Sequence, residues 1–166
     1  MKYVTGPVDI GIDPGLSGAI AFLPRDWPAW VEDMPTMGHS KTGFVKRAVD
    51  CRELARMLEP FAMNGTPRVF IERVNAFPGQ GVGSMFSLGM SFWGAFGVCA
   101  ALAIEIHLVE AKDWKGHFRL NKDKEMARAL ASRYYPGCTL TAKKHHGRAE
   151  ALLIARYGRE SERDSP

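Results

Sequence analysis

Residues 8–23 read VDIGIDPGLSGAIAFL, a pattern that is typical of two β-strands joined by a tight turn. Val8, Ile10 and Ile12 alternate with polar or small residues, as expected for a strand with one apolar face. Pro-Gly then favours a turn, and GAIAFL supplies a second apolar run. We therefore predict a β-hairpin whose first strand ends in the carboxylate of Asp13.

The remaining apolar runs predict a third strand and then an alternation of helices and strands. Further strands are predicted at AWVEDM, RVFIERV and EIHLVE, which are residues 29–34, 68–74 and 105–110. A capping-box spacing starts a helix at Asp50, and other helices are predicted across 85–104, over about 121–135, and up to Gly158. Because parallel strands need crossover helices, this order predicts an α/β fold with a five-stranded mixed sheet and helices on both faces.

Length and composition limit the class of protein. The 166 residues can bury the core of one domain, which we place at residues 1–158, followed by a short polar tail at 159–166. The N-terminal segment lacks the sustained apolar run and the cleavage signal of a secretory leader, so we expect a cytoplasmic protein. Three widely spaced cysteines, without paired metal-ligand spacing, are expected to be reduced thiols.

The segment from Met85 to Ile104 carries no charge and is long enough, by itself, to cross a bilayer. It also contains Gly89, Gly94 and Gly97, and a predicted strand flanks it on each side. A membrane span would leave those strands on opposite sides of the bilayer. We therefore expect no membrane, but a buried helix that packs closely against the sheet or against a second subunit.

Positive charge is concentrated in the C-terminal third of the chain. Residues 111–148 contain ten Lys or Arg and three acidic residues, a net charge of +7, whereas the remainder is net acidic. Such a concentration is expected of a surface that binds a phosphate backbone, although a solvated basic face would have the same composition.

Two predicted strands carry a carboxylate. Asp13 ends the first strand, and Glu72 follows Ile71 in the fourth. A carboxylate in an apolar strand is costly unless it is paired or binds a cation, so the two suggest a shared cation site. Alternatively, Asp13 only caps the DPGLSG turn and Glu72 pairs with Arg73 or Arg68.

Three motifs, GIDPGLSGAIAF, VFIERV and HHGRAEALLIARYG, resemble the first, second and last acidic motifs of the RuvC-like Holliday-junction resolvases. They are more similar to the bacteriophage and plant-chloroplast branch, as is the intervening DWKGHFRLNKDKEMARALASRYYP. The resemblance covers about residues 8–158. It implies a ribonuclease H-like fold, a homodimer, and magnesium-dependent cleavage of four-way junction DNA.

The resemblance also assigns roles to residues of this chain. Asp13 would bridge two metal ions, Glu72 would be the second carboxylate, and Glu150 would be the carboxylate of the last helix. Lys115 and Lys124 match lysines that such resolvases place near the scissile phosphate. Two Mg²⁺ or Mn²⁺ ions per active site would activate a water and stabilise the leaving oxygen, and hard cations of this kind prefer oxygen ligands.

The last motif departs from the family, which has a fourth acid one turn before the final carboxylate. His146 lies four residues before Glu150 and shares its helix face, whereas His145 lies about 140° away around the axis. Gly147 has no side chain. We therefore predict that His146 binds metal and that His145 faces solvent or DNA. The alternative is that His146 is an exposed residue at the helix start.

Other residues are expected to contact DNA. Phe77, in the loop NAFPGQGVGS, is the candidate for the apolar residue that such resolvases insert at the junction centre, with a buried loop anchor as the alternative. Lys143, Lys144 and Arg148 are expected to bind phosphates. The loop lacks the Gly-Lys-Ser/Thr ending of a phosphate-binding loop, so no nucleotide cofactor is expected.

Two other classes of function are alternatives to junction cleavage. A chain without the fourth acid could bind junctions and not cleave them. GIDPGLSGAIA also resembles the first phosphate loop of actin-like ATPases, but those enzymes need a second lobe, and this chain is too short to supply one.

Overall fold

The computed structural model of the chain describes residues 6–38, 47–75, 78–121 and 123–161. Its strands and helices alternate largely as the sequence predicted. The strands are β1 (Gly6–Asp13), β2 (Ala19–Pro24), β3 (Trp30–Asp33), β4 (Thr36–Gly38), β5 (Arg47–Val49), β6 (Gly65–Glu72) and β7 (Glu105–Val109). The helices are α1 (Cys51–Asn64), α2 (Val82–Ala101), α3 (Ala111–His117), α4 (Lys124–Tyr134) and α5 (His146–Ser161).

Five strands form one mixed sheet in the order β3-β2-β1-β6-β7. The β1–β2 hairpin and the β2–β3 pair are antiparallel, whereas β6 lies parallel to β1 and β7 lies parallel to β6. The predicted five-stranded mixed sheet is therefore confirmed. Three elements were not predicted: the short β4–β5 antiparallel pair, and α3 directly after β7. Helix α5 also continues to Ser161, three residues beyond its predicted end.

The alternation in β1 separates two hydrophobic cores. Val8, Ile10 and Ile12 lie on one face of the sheet, where they pack with residues of α1 and α2. On the opposite face, small and apolar residues of β2 pack with α3, α4 and α5. Helices thus cover both faces of the sheet, as the sequence predicted.

Helix α5 lies unusually close to β1. Gly11 faces it, and a Cβ atom added there would lie 2.6 Å from the backbone nitrogen of Ala155 and would overlap the carbonyl oxygen of Ala151. Farther along α5, Gly158 leaves room for the ring of Phe70 on β6. Small residues at these positions therefore set the distance between the last helix and the sheet.

A buried charge on β1 also ties α5 to the sheet. Asp9 is 3% exposed, and its carboxylate accepts hydrogen bonds from Arg68 Nε on β6 at 3.0 Å and from Arg159 Nε on α5 at 2.6 Å. Arg159 also donates to the carbonyl oxygen of Leu23. A carboxylate so deeply buried needs such charged partners, and this pairing was not anticipated from the sequence.

Helix α2 is the crossover between β6 and β7, which are neighbours in the sheet. Its length and composition alone would allow it to cross a membrane. It buries only Ser91, Phe92, Ala95 and Cys99, so the prediction of a buried helix holds for one face only. The other face exposes a stripe at helical spacing, here called the α2 stripe: Val82, Phe86, Gly89, Trp93 and Gly97.

Replacing Gly11 by Ala is expected to destabilise the fold, because the new Cβ would overlap backbone atoms of α5 that cannot rotate away. Overpacking of this kind lowers the free energy of unfolding by about 1–3 kcal/mol, a change that urea unfolding measures. Gly116→Ala, in open space on α3, is the matched control and should be neutral or stabilising by up to about 1 kcal/mol. If the Gly11→Ala variant were as stable as the wild-type protein, the packing of α5 would not depend on this close contact.

Candidate functional site

Asp13 and Glu72 end neighbouring parallel strands on the same face of the sheet. Ile12 lies opposite Ile71 in the register, and both pack in the core under α1 and α2. Because side chains alternate along a strand, the next residue on each strand points to the opposite face, where α5 lies. The sequence prediction placed both carboxylates at strand ends, and the structure brings those ends together.

Glu150 on α5 completes a group of three carboxylates. It precedes Ala151, whose carbonyl oxygen faces Gly11, so the close contact between α5 and β1 also fixes the position of Glu150. Burial, then the negative charge of Glu150 and that of Glu72, raise the pKa of Asp13 to about 7. The three predicted acids are therefore within reach of one another's charge.

Asp13 also contributes to the turn that follows it. The backbone N–H of Gly15 donates to Asp13 Oδ1 at 3.4 Å, and the positive charge of Lys124 also favours its ionised form. These contacts lower the pKa less than burial and the neighbouring acids raise it. The turn-capping alternative is thus only a part of what Asp13 does.

The carboxylate of Glu72 is held by a tryptophan. Trp114 on α3 is fully buried, and its indole Nε1–H donates to Glu72 Oε2 at 2.8 Å. The arginines proposed as alternative partners pair elsewhere: Arg68 with Asp9, and Arg73 with Glu110 at 3.3 Å. Burial raises the pKa of Glu72, the Trp114 hydrogen bond opposes this, and Glu150 adds to it.

Trp114 was missed by the sequence analysis. A buried tryptophan needs a hydrogen-bond acceptor for its N–H, which is the signal that could have singled it out. The acceptor could not be identified, because Glu72 is 42 residues away in the chain.

Two lysines border the carboxylates, and their expected place near a scissile phosphate remains a prediction. Lys115 Nζ lies 3.9 Å from Glu150 Oε1 and 4.9 Å from the centre of the Trp114 ring. A recess of about 120 Å³ opens beside Glu150 and is lined by Lys115, Leu120, Asn121, Asp123, Lys124 and Ala127. Cationic groups therefore stand on the open side of the acidic group.

The two histidines at the start of α5 have different roles. His145 is 8% exposed, and its Nδ1 accepts a hydrogen bond from the backbone N–H of Ala142 at 3.2 Å. Burial, together with the charges of Arg148 and Lys144, lowers the pKa of His145. The prediction that His145 faces solvent or DNA is wrong, because this residue closes the turn that precedes α5.

His146 is directed towards α4. Its Nε2 lies 3.6 Å from Glu125 Oε1, and its Nδ1 is buried and finds no hydrogen-bond partner in the described part of the chain. A side chain that is 25% exposed does not fit the alternative of a solvated helix-start residue. The metal-binding role of His146 remains a prediction.

Gly147 explains why no acid stands three residues before Glu150. A Cβ at this position would lie 2.7 Å from Gly18 Cα and would overlap the carbonyl oxygen of Ser17. Helix α5 meets the β1–β2 turn here without any space for a side chain. A ligand one turn before Glu150 can therefore come only from position 146.

The residues expected to contact DNA fall into three groups. Lys143 and Lys144 are exposed in the turn before α5. Arg148 is engaged with Asp33 on β3, through Nε at 2.6 Å and Nη2 at 2.8 Å, so its charge is largely neutralised. Phe77 lies outside the described residues.

Over residues 6–38, 47–75, 78–121 and 123–161, no three His, Cys, Asp or Glu side chains form a preformed metal cluster. The residues present nevertheless suit a divalent cation. Carboxylate oxygens are donors that such cations prefer, and His146 Nδ1 is a buried imidazole nitrogen without a hydrogen-bond partner among the described residues. Burial and the two neighbouring acids, which raise the pKa of Asp13 to about 7, disfavour its ionised form.

Neither a protein-family model nor a curated protein matches the chain. Its structure is similar to that of Thermus thermophilus RuvC, with a TM-score of 0.62 and 15% identity over 94% of this chain and 95% of that one. T. thermophilus RuvC in complex with a Holliday junction substrate matches with a TM-score of 0.61 and 15% identity over 94% of both chains. The chain therefore has the predicted ribonuclease H-like α/β fold.

The metal-free protein is expected to lose stability as the pH rises from about 4 to about 7. Asp13 ionises near 3.8 when unfolded and near 7 when folded, so the folded state binds the extra proton and is favoured at the acidic end of this range. Between pH 5 and pH 8, Asp13 should account for a fall of on the order of 2 kcal/mol in the free energy of unfolding, and Asp13→Asn should abolish this fall. Urea unfolding in the presence of EDTA measures the difference. Asp26→Asn, an exposed acid, is the control. If Asp13→Asn left the pH dependence of stability unchanged, the raised pKa assigned to Asp13 would be wrong.

Proposed function

We propose that this protein is a metal-dependent endodeoxyribonuclease that resolves four-way DNA junctions, related to the bacteriophage and chloroplast branch of the RuvC-like resolvases. The observation that carries the proposal is the convergence of Asp13, Glu72 and Glu150, where burial and then the charges of Glu150 and Glu72 raise the pKa of Asp13 to about 7. The same three residues match the acidic motifs that the sequence shares with that family. The RuvC-like fold supports this proposal.

The ligands in this proposal are the carboxylates of Asp13, Glu72 and Glu150 and the Nδ1 of His146. The family resemblance implies two Mg²⁺ or Mn²⁺ ions per site. When bound, such ions make a water nucleophilic and neutralise charge at the phosphate and at the leaving oxygen. An imidazole ligand suits manganese better than magnesium, so Mn²⁺ is expected to support faster cleavage than Mg²⁺.

The other residues of the site orient ligands and attract the substrate. Trp114 holds the Glu72 carboxylate in one orientation through its N–H. Lys115 and Lys124 offset part of the acidic charge and provide cations for an approaching phosphate. Asp13 must give up its proton before it can act as a ligand, which its pKa of about 7 allows near neutral pH.

Four-way junction DNA is proposed as the substrate because the acidic motifs resemble those of junction resolvases, and because Lys115 on α3 and Lys124 on α4 border the acidic group. The solved T. thermophilus complex places a Holliday junction substrate on a protein of this fold. Lys143 and Lys144 are the exposed residues that we propose to contact phosphates. Arg148 would contribute less, since Asp33 already pairs with it. Phe77 is retained as a candidate for insertion at the junction.

A homodimer is proposed through the α2 stripe. Val82, Phe86 and Trp93 are 79%, 61% and 64% exposed, which is unusual for adjacent apolar side chains on one helix face. The two glycines of the stripe, Gly89 and Gly97, have open space over them, so a second helix could approach closely. Gly94 does not belong to this surface, because it packs against Cys51 of α1.

A junction-binding protein without catalysis is the second candidate. It is favoured by His146, which stands where an acid is expected and leaves the site with three carboxylates. Both candidates predict salt-sensitive binding of junctions, and only the nuclease predicts product.

Asp13→Asn, Glu72→Gln and Glu150→Gln are each expected to reduce cleavage of a labelled four-way junction by at least about 100-fold, because each removes a charged ligand. Junction binding should stay the same or become tighter, since negative charge facing phosphates is lost. Gel assays with Mg²⁺ and with Mn²⁺ measure both, and Glu59→Gln on α1 is the control. If the wild-type protein binds but gives no product in either metal, the second candidate is favoured.

Trp93→Arg is expected to weaken the dimer more than about tenfold, because it places a charge in the centre of the α2 stripe. Sedimentation velocity at micromolar concentration measures the change. Met63→Arg is the matched control, because Met63 is an exposed apolar residue on α1 and not part of the α2 stripe. A wild-type monomer at these concentrations would contradict the proposed dimer.

A further inference from the structure

His146 is supported by a chain of charged groups from α4. Its Nε2 lies 3.6 Å from Glu125 Oε1, within ion-pair distance but slightly long for a direct hydrogen bond. The other oxygen of Glu125 accepts from Arg128 Nη2, one turn further along the helix. Arg128 Nη1 donates to the carbonyl oxygens of Leu140 at 3.1 Å and Thr141 at 2.9 Å. The carboxylate is therefore anchored, on the side away from His146, to the segment that leads into α5.

The contacts of the imidazole ring distinguish its two nitrogens. Nε2 faces a carboxylate, which favours the tautomer with the hydrogen on Nε2. Nδ1 is then an acceptor, and it is buried with no hydrogen-bond partner in the part of the chain that the structure describes. A buried acceptor left empty costs about 1–3 kcal/mol, so this nitrogen is expected to have a ligand in the functioning protein.

The position of Glu125 connects this support to the acidic site. It follows Lys124, which lines the recess beside Glu150 and whose charge reaches Asp13. His146 in turn shares a helix face with Glu150. Since Gly147 leaves no room for a side chain, the ring of His146 has no substitute on this turn of α5.

We propose that Glu125 is a positioning residue that orients the His146 ring and its tautomer, so that Nδ1 is presented as a metal ligand. This inference rests on the proposed function, because it assumes that a divalent cation binds beside Glu150. Carboxylates that hold a ligating histidine in this way typically contribute 10- to 100-fold in metal affinity. Glu125 itself touches neither the cation nor the substrate.

The first test measures Mn²⁺ binding by isothermal titration calorimetry on the full-length protein. Glu125→Ala is expected to weaken binding by 10- to 100-fold, and Glu125→Gln, which keeps the size and an acceptor oxygen, by a smaller factor. In the His146→Ala background, Glu125→Ala should not lower the Mn²⁺ affinity further. If Glu125 only stabilised the fold, its replacement would lower the affinity in both backgrounds. Glu53→Gln is the matched control, because it breaks the same kind of i,i+3 Glu–Arg pair on α1.

The second test reads the His146 tautomer without metal. In ¹⁵N–¹H spectra at pH 8, the wild-type ring should carry its hydrogen on Nε2, and Glu125→Ala should produce a mixture of tautomers. Unchanged Mn²⁺ affinity in both Glu125 variants, or an Nδ1–H tautomer in the wild type, would overturn the inference. If the wild-type protein bound no Mn²⁺, the proposed function would fail together with the inference. If the wild-type protein bound Mn²⁺ and both Glu125 variants bound it equally well, only the proposed role of Glu125 would be wrong, and the proposed function would stand.

Discussion

The close contact between α5 and β1 is the constraint on which the rest of the structure depends. Gly11 lets the backbone of α5 lie against the strand, and Gly147 lets the first turn of the same helix meet the β1–β2 turn. Glu150 is carried between these two contacts, and its charge acts on Asp13. The same contacts exclude a side chain at position 147, which leaves position 146 as the source of another ligand.

This arrangement concentrates negative charge in a place that the protein does not neutralise by itself. Asp13 and Glu72 are partly buried, and their pKa values are raised by burial and by neighbouring acids. By contrast, the buried Asp9 on the same strand is fully paired with Arg68 and Arg159. The difference separates a carboxylate that stabilises the fold from carboxylates that need a cation or a proton.

The two faces of the sheet serve different purposes. The face under α5 is closed by small residues and carries the acidic site, with Trp114 and the two lysines around it. The face under α1 and α2 contains the other core, and α2 covers it with one side while the apolar α2 stripe remains exposed. The acidic site and the exposed α2 stripe are therefore carried by helices on opposite faces of the sheet.

The sequence by itself predicted the five-stranded mixed sheet, most of its strands and helices, and the three candidate carboxylates. These follow from local patterns: the alternation around Ile10, the turn after Asp13, and motifs that resemble those of a known family. Only the tertiary structure decided which groups those residues meet. Trp114 finds Glu72, Arg148 finds Asp33, and His145 folds back onto Ala142 while His146 turns to Glu125. Helical periodicity fixes the face on which a side chain lies, but its partner depends on elements packed from distant parts of the chain, and short-range patterns do not encode that packing.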